Sequence, residues 1–531
     1  MKNLLFLLLL SGFTIKSSYS QIWEHSYGIV GEYDDLQNLN MSYDGGYLIL
    51  GGRFYYPNTR GIVYKTDVNG NLLYEIRLGT GTGMPQGSYP SFIESTSDGG
   101  MIICGSHENW TPNDIGITKL DACGNLQWCK TFRTDNNYDW GRVVHQLPDG
   151  GYVMLTHQYL DAWHTKVHLF RFNTNGDLLW IQPYLPMGST PQPLYSDGMT
   201  DLIVTSTEDF FMTGKGYWAP DSLIGYIKAV TIIADSTREE KSISVFEKEN
   251  LNNYSMAYNS IQNGSGNIYV GSLYVVPGYT PMMIVMDTLG NFISDTLIQF
   301  PKYINRWADG YIIDPTFTTD NRMFAYTVYM DSTLIFDSSP IGVHEIDSTG
   351  GWHNTFVLDS THSYARMIIT NDDKILVAGC LGYDYGQQII ISKLNTSLQY
   401  DSIYTVPRVY DYLCPDTIVS KTISLDCEVI VDVKDIPSPQ EYYRSIKLIP
   451  ITPAPNPARD EVRFMLKNTE HHRNIRVVCY DIFGREMGEV PVNAGTDEAR
   501  MDVSNWTPGM YMAVVYSGNK RVGSARFIVQ R

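Results

Sequence analysis

Short apolar runs set off by Gly, Asp and Asn recur along most of the chain, and the marks between them keep their order. Ser42-Tyr43-Asp44-Gly45-Gly46 leads into Tyr47-Leu48-Ile49-Leu50, Ser97-Asp98-Gly99-Gly100 into Met101-Ile102-Ile103-Cys104, and Pro148-Asp149-Gly150-Gly151 into Tyr152-Val153-Met154-Leu155. Asp-Gly-Gly supplies a turn whose glycines can take positive φ, and the run behind it has the length and bulk of a buried strand. A second mark follows in each unit. Asp67-Val68-Asn69-Gly70, Asp121-Ala122-Cys123-Gly124 and Asn173-Thr174-Asn175-Gly176 each lead into a further apolar run, which predicts a second hairpin. Later copies wear: Asp287 to Gly290 and Asp347 to Gly350 keep Asp and Gly, Asp235 to Arg238 loses the Gly, and Asn395 to Leu398 keeps least.

The first mark falls at Asp44, Asp98, Asp149, Asp209, Gly266, Asp320 and Asp372, which makes seven units. A spacing of about 50 residues is too long for a leucine-rich or ankyrin repeat and fits a four-stranded blade. Radial closure would also remove the sheet edges that an open array leaves exposed. The sequence thus predicts an all-β chain: a seven-bladed β-propeller over 21–407, then a small C-terminal antiparallel β-sandwich, Ig-like, over 449–531. A β-solenoid or two smaller propellers would share the period. Ile22 to Gly28 reads as the last strand of a unit whose beginning is missing, so it is expected to complete the blade that the final repeat begins.

Composition narrows the class. With 43% hydrophobic and 18% charged residues the chain is a folded one, and its 38 Tyr favour strands. The formal net charge of -18 lies entirely before the tail, because 449–531 carries eleven Lys and Arg against nine Asp and Glu. A body this acidic repels phosphate backbones, which excludes nucleic acid as a partner. Lys2, the apolar Leu4 to Phe13 and Ser18-Tyr19-Ser20 predict a signal peptide over 1–20, too short in its apolar core to span a bilayer.

Export allows disulfides. Periodicity stops across 408–448, a segment and linker in which Cys414 and Cys427 flank a short polar loop and are expected to bridge each other. Cys123 and Cys129 flank a turn, but two-residue hairpin register would pair Cys123 with Leu126, so no bridge is expected between them. Cys104, Cys380 and Cys479 sit in apolar runs and are expected to be buried thiols.

The tail carries a more specific signal. Ala454-Pro455-Asn456-Pro457-Ala458, Tyr480-Asp481-Ile482-Phe483-Gly484-Arg485, Asp502 to Trp506 with Pro508-Gly509-Met510-Tyr511, and the closing Arg526-Phe527-Ile528-Val529 stand in order. Together they resemble the type A C-terminal sorting domain of the type IX (Por) secretion system of Bacteroidota, with Ala454 where that family often has Tyr. Pro455, Asn456, Pro457, Gly484, Pro508, Gly509 and Tyr511 carry the match. The resemblance implies export across the outer membrane, the translocon and its sortase as partners, and release or attachment at the cell surface through lipopolysaccharide. The repeats also resemble Asp-Gly-Gly-Tyr and Lys-x-Asp-x-x-Gly-Asn propeller-like repeats that carry the same tail.

Candidate chemistry is sparse. Asp67, Asn69 and Asn71 put oxygens on alternate residues, yet an EF-hand needs more carboxylates and a bidentate Glu, so an Asx turn is expected instead. His157, Asp161, His164 and His168 match no defensible metal geometry and are expected to be scattered on the surface. Gly79 to Gly83 lacks the helix and Lys-Ser/Thr of a phosphate loop. Nucleophile-elbow and His-Glu-x-x-His patterns are absent, and no carboxylate pair stands out, so no catalytic residue, cofactor or metal is assigned. Trp110, Trp140, Trp163 and Trp218 are expected in connections between strands, where exposed rings can stack on a sugar or anchor a protein. The expected function is a secreted or cell-surface binding or adhesion module with a glycan or protein ligand. The alternatives are a propeller hydrolase or lyase acting on glycans, and a structural surface-layer component. An enzyme would show convergent carboxylates of shifted pKa, a binder exposed aromatics, and a structural protein neither.

Overall fold

The computed structural model describes residues 22–530 except 56–57, 80–87, 108–113, 134–138, 160–164, 185–193, 219–225, 247–253, 276–278, 299–312, 329–339, 348, 359–361, 382–385, 403–413, 415–418, 431–450, 468–474, 482–484, 493–497 and 518–519. The expected signal peptide therefore lies outside the described residues, as does most of the linker. Two compact units emerge, Met1–Asp435 and Ile436–Arg531. Every element among the described residues is a strand.

In the first unit the first six repeats each fold into a meander of four antiparallel strands and the seventh supplies three, giving seven sheets among the described residues, numbered here in chain order. Both turns form for the reasons legible in the sequence. Asp44 Oδ1 accepts the Gly46 N–H at 3.1 Å while Gly45 takes φ 82°. Asp67 Oδ1 accepts the N–H groups of Asn69 and Asn71 at 2.8 and 2.9 Å, and its other oxygen accepts the Asn71 side chain, so its carboxylate closes an Asx turn. Asp121 and Asp287 do the same, the Asp347 carboxylate accepts the N–H groups of Thr349 and Gly351, and Asn173 accepts two N–H groups through Oδ1 while its Nδ2 donates to Asp177.

The seven inner strands are Tyr33–Met41, Ser88–Ser95, Asp139–Gln146, Leu194–Val204, Tyr254–Gln262, Ile313–Phe317 and His362–Ile369. Each touches the next, and the last touches the first. Apolar clusters fill the space between every adjacent pair of sheets, from Leu50, Ile76 and Ile103 between the first and second to Phe324, Val343 and Met367 between the sixth and seventh. Glu24–Tyr27 supplies the fourth strand of the seventh sheet, pairing antiparallel with Gln388–Leu394. Trp23 beside it is fully buried against Tyr47 of the first sheet and Ile391 of the seventh. The first strand among the described residues thereby locks the last repeat to the first.

The Cys-containing segment differs from expectation. Cys414 does not bridge Cys427; the disulfides are Cys123–Cys414 and Cys129–Cys427. The segment runs on as a strap instead of looping back. Lys421–Ile423 adds a parallel fifth strand to the outer edge of the first sheet, and Glu428–Ile430 does so to the second. Each strap cysteine consequently faces a cysteine of the second sheet, and its two short strands satisfy edge N–H and C=O groups that would otherwise face solvent. Cys104, Cys380 and Cys479 are free and buried.

The second unit has two antiparallel sheets of three and four strands facing across one core that includes Phe464, Val477, Trp506, Tyr511 and Phe527. Its motif residues hold that fold together. Pro455, Asn456 and Pro457 lead the chain along the final strand, where Asn456 Oδ1 accepts the Ile528 N–H at 2.9 Å and Ala458 N–H donates to Ile528 O at 2.8 Å. Exposed Pro508 precedes Gly509, which opens the Gly509–Ser517 strand. Tyr511 is buried, and its hydroxyl donates to Thr507 O at 2.7 Å. Gly484 lies outside the described residues.

Candidate functional site, the channel of the ring

The inner strands surround a cavity of about 700 Å³ to which all seven contribute. Local irregularity in these strands decides what reaches it. Register shifts place one extra residue in the first three inner strands, at Gln37, Ser91 and Arg142, and all three line the cavity. A β-bulge of this kind bends the strand and re-aims the side chain it carries. The bulged backbone also explains a glycine in the repeat motif. A Cβ on Gly105 would lie 2.3 Å from Tyr89 O, and one on Gly51 would lie 2.8 Å from Asp35 O.

Much of the polar lining is committed to joining sheets. Asn40 donates to Ile93 O at 3.1 Å, and Thr200 donates to Ala257 O at 3.0 Å. Asp201 accepts both the N–H and the hydroxyl of Ser260, at 2.7 and 2.9 Å. His145 bridges three sheets, with Nδ1 2.9 Å from Glu94 Oε2 and Nε2 2.6 Å from Leu202 O. Burial opposes its charge, but Glu94, the Leu202 carbonyl and nearby Asp201 outweigh burial and raise its pKa to about 9. It is an imidazolium at neutral pH and donates to both partners. Thr319 N–H donates to Asp373 at 2.9 Å at the end where the Asp-Gly-Gly turns lie.

A contiguous arc on the seventh, first, second and third sheets remains, toward the opposite end. Asp35, Tyr89 and Trp140 each stand nine residues before the Asp of their turn, and Gln37 and Arg142 each seven. Gln37 Nε2 donates to Asp35 Oδ2 at 2.6 Å and to the Tyr89 hydroxyl at 2.8 Å. Asp35 is 4% exposed, and its Oδ1 is buried with no hydrogen-bond partner. Burial raises its pKa to about 6, against the opposing pull of Tyr89, Gln37 and Arg366. Gln37, Tyr89, Trp140, Arg142 and Arg366 line the cavity in front of it.

Of the four tryptophans expected to bind, Trp140 belongs to this arc and is half-buried, but it lies within the Asp139–Gln146 strand and not in a connection. Trp110 and Trp163 lie outside the described residues. Trp218 ends the Phe210–Trp218 strand, paired with Leu194 and Tyr226, and nothing is described of its side chain. His157 and His168 are buried, not on the surface, because both fall inside strands; adjacent in register to Val167 and Thr156 respectively, they occupy opposite faces. Burial, with Arg142 nearby, drives the His157 pKa down to about 3. Among the described residues no three metal-ligating side chains converge. Asp35, Gln37, Tyr89, Arg142 and Arg366 were not singled out in the sequence. Their shared distance from the turn Asp is the signal that finds all but Arg366, whose strand has a longer bulge between His362 and Arg366.

The chain's backbone is similar to that of a protein of unknown function from Dyadobacter fermentans DSM 18053, at 11% identity and TM-score 0.38, covering 71% of this chain and 96% of that one. It is also similar to the polysaccharide lyase Uly1, at 8%, 0.44, 72% and 94%, and to the subtype N11 neuraminidase-like protein of A/flat-faced bat/Peru/033/2010 (H18N11), at 11%, 0.36, 73% and 95%. Superpositions this loose carry no argument about chemistry. No curated protein matches the sequence. Residues 454–530 match the secretion system C-terminal sorting domain family, so the chain ends in the tail that addresses a protein to type IX secretion and brings it to its machinery.

Proposed function

We propose that this type IX cargo is a seven-bladed β-propeller that binds a glycan in the mouth of its channel, with an Ig-like sorting domain that the translocon and sortase of a Bacteroidota cell recognise. The observation that carries the reading is the arc itself. Three sheets present Asp35, Tyr89 and Trp140 from equivalent positions, Gln37 links two of them by hydrogen bonds, and the cavity in front is the size of a small oligosaccharide. Aromatic rings beside a hydrogen-bonding network suit the apolar faces and hydroxyls of a sugar. After export the propeller is attached through lipopolysaccharide outside the outer membrane or released.

A second reading, a glycan hydrolase or lyase, draws on Asp35, whose raised pKa and unpartnered Oδ1 suit a general acid or base. Hydrolysis by a carboxylate pair needs a second acid on the same arc, and Asp201 is held by Ser260 on the far side of the ring. Binding is therefore favoured. A glycan array probed with the exported protein and with Trp140→Ala tests the reading: saturable binding lost in the variant supports it, and binding that survives the substitution or is absent from every glycan rejects it. Release of shortened sugars by the wild-type protein but not by Asp35→Asn would favour the second reading.

A further inference from the structure

A tail that brings the chain to its machinery must be read from outside, by side chains that point away from its core. Side chains alternate along a strand, so each stretch that carries the family match is split between core and surface. Tyr511, Ala513 and Val515 of the Gly509–Ser517 strand point into the core, as do Phe527 and Val529 of the Lys520–Val529 strand. Met510, Met512, Arg526 and Ile528, between them, point outward. Met510 stands opposite Ile528 and Met512 opposite Arg526, so the four form one block on the outer face of the four-stranded sheet. Met510 is 48% exposed and Ile528 47%, and Arg526 is exposed beside them.

The rest of that face is engaged. Arg476 lies over the Tyr516 ring, 4.8 Å from its centroid, and pairs with Glu489 at 2.7 Å, while the Tyr516 hydroxyl is 3.4 Å from that of Tyr480. Arg526, by contrast, makes no ion pair among the described residues. The outer face of the three-stranded sheet closes its charges on itself. Arg463 reaches Glu461 at 3.1 Å and Glu498 at 4.0 Å, and Arg500 reaches Glu498 at 2.7 Å, beside the exposed Met465.

Exposed ion pairs that are already made have little to give a partner. Apolar side chains left half exposed in a block do, since burying them is favourable and unbranched methionine adapts to the contour it meets. A guanidinium at the edge adds direction, because its fork of N–H donors matches a carboxylate. We infer that the block of Met510, Met512, Arg526 and Ile528 is where the type IX machinery docks, and that the component reading it presents an apolar pocket edged by a carboxylate. The charge of the tail agrees in sign: 449–531 carries eleven Lys and Arg against nine Asp and Glu, whereas the acidic remainder of the chain would be repelled by the same partner. The inference rests on the tail being what the machinery recognises and adds the face by which it does so.

The test follows the full chain in cells that carry a type IX system, reading the share that reaches the medium or the cell surface against the share held in the periplasm. Met510→Gln with Ile528→Thr, and Arg526→Glu alone, should each cut export by about fivefold or more, the loss expected when a residue that carries an interface is removed. Arg526→Lys keeps the charge and should export better than Arg526→Glu. Met465→Gln and Arg500→Gln, on the other face, should leave export unchanged. The substituted side chains are all exposed and Thr keeps the strand preference of Ile, and urea midpoints of the purified variants separate lost docking from lost fold. If the double variant is unstable, Arg526→Glu decides alone. Export at the wild-type level in the face variants, or an equal loss in the two controls, overturns the inference. So does sedimentation in which the wild-type chain forms dimers that the face variants abolish while export persists, because the block would then join two copies of the chain. Export of the wild-type chain that persists in cells without the type IX machinery would overturn the sorting reading itself.

Discussion

Lys65 Nζ lies 2.9 Å from Asp44 Oδ1 and 3.0 Å from its Oδ2, joining the two marks that recur in every clear repeat. The lysine is two residues before Asp67, and its side chain is 2% exposed. Lys119 with Asp98 and Lys393 with Asp372 repeat the pair at the same sequence separation of 21, and Arg171 with Asp149 replaces the lysine by arginine. One ion pair therefore ties the first hairpin turn of a sheet to its third strand. Burial pulls the Lys65 pKa down, and Asp44 opposes it. Removing Asp44 takes away the ammonium's ion-pair partner, leaving it the Thr66 carbonyl and the weaker pull of Asp67. Asp44→Ala should lower stability by about 3 kcal/mol in urea unfolding, and Asp44→Ala with Lys65→Met should recover much of that loss. Equal losses in the single and double variants would show that the pair does not act as a unit.

His145 gives the ring a pH dependence of known sign. Its folded pKa of about 9 stands above the ordinary 6.5, so the stability it contributes is fully present below pH 6.5 and is lost as pH rises through 9. The contribution is on the order of 2 kcal/mol, because His145 and Glu94 both keep some exposure and solvent screens part of their attraction. His145→Gln should destabilise the protein much more at pH 6 than at pH 9.5, as read from urea midpoints; the same loss at both values would contradict the assignment of an imidazolium.

The strap is held by two disulfides whose partners are 291 and 298 residues apart. Cross-links over such long loops each contribute about 2–5 kcal/mol. Cys414→Ser with Cys427→Ser should release the strap to proteolysis near Lys421 while the ring persists. Limited proteolysis followed by mass spectrometry reads this directly, and protection equal to wild type would mean that the parallel strand pairing alone holds it.

Closure depends on Trp23. Its burial between the first and seventh sheets predicts a loss of about 3–5 kcal/mol in Trp23→Ala, and exchange protection should fall first along Gln388–Leu394. A variant that unfolds at the wild-type urea midpoint would show that Glu24–Tyr27 is not what seals the ring.

How far the sequence could be read differs between the scaffold and the site. The Asp-Gly-Gly and Asp-x-x-Gly marks act locally, through Asx turns and positive φ, so Asp44, Asp67 and their copies place the first and third hairpins of the clear repeats without tertiary information. The orphan strand at Trp23 was legible because a four-stranded unit cannot be left incomplete. The disulfides were not, because Cys414 and Cys427 look adjacent along the chain while the strap carries them along the outer edges of the first two sheets. Trp140 stands out as an aromatic but is expected in a connection and lies within the third inner strand, while the fixed distance of Gln37 and Arg142 from their turn Asp gains meaning only once the β-bulges show that these positions face the channel. Asp35 needed burial to stand out among the many acids of the chain.

Where a ligand sits tests the account most directly. A crystal structure of the exported protein with the tightest-binding oligosaccharide should show the sugar in the channel mouth, stacked on Trp140 or Tyr89 and in contact with Gln37 and Arg366. Density on an outer strand or on the second unit, with the channel holding only solvent, would contradict it.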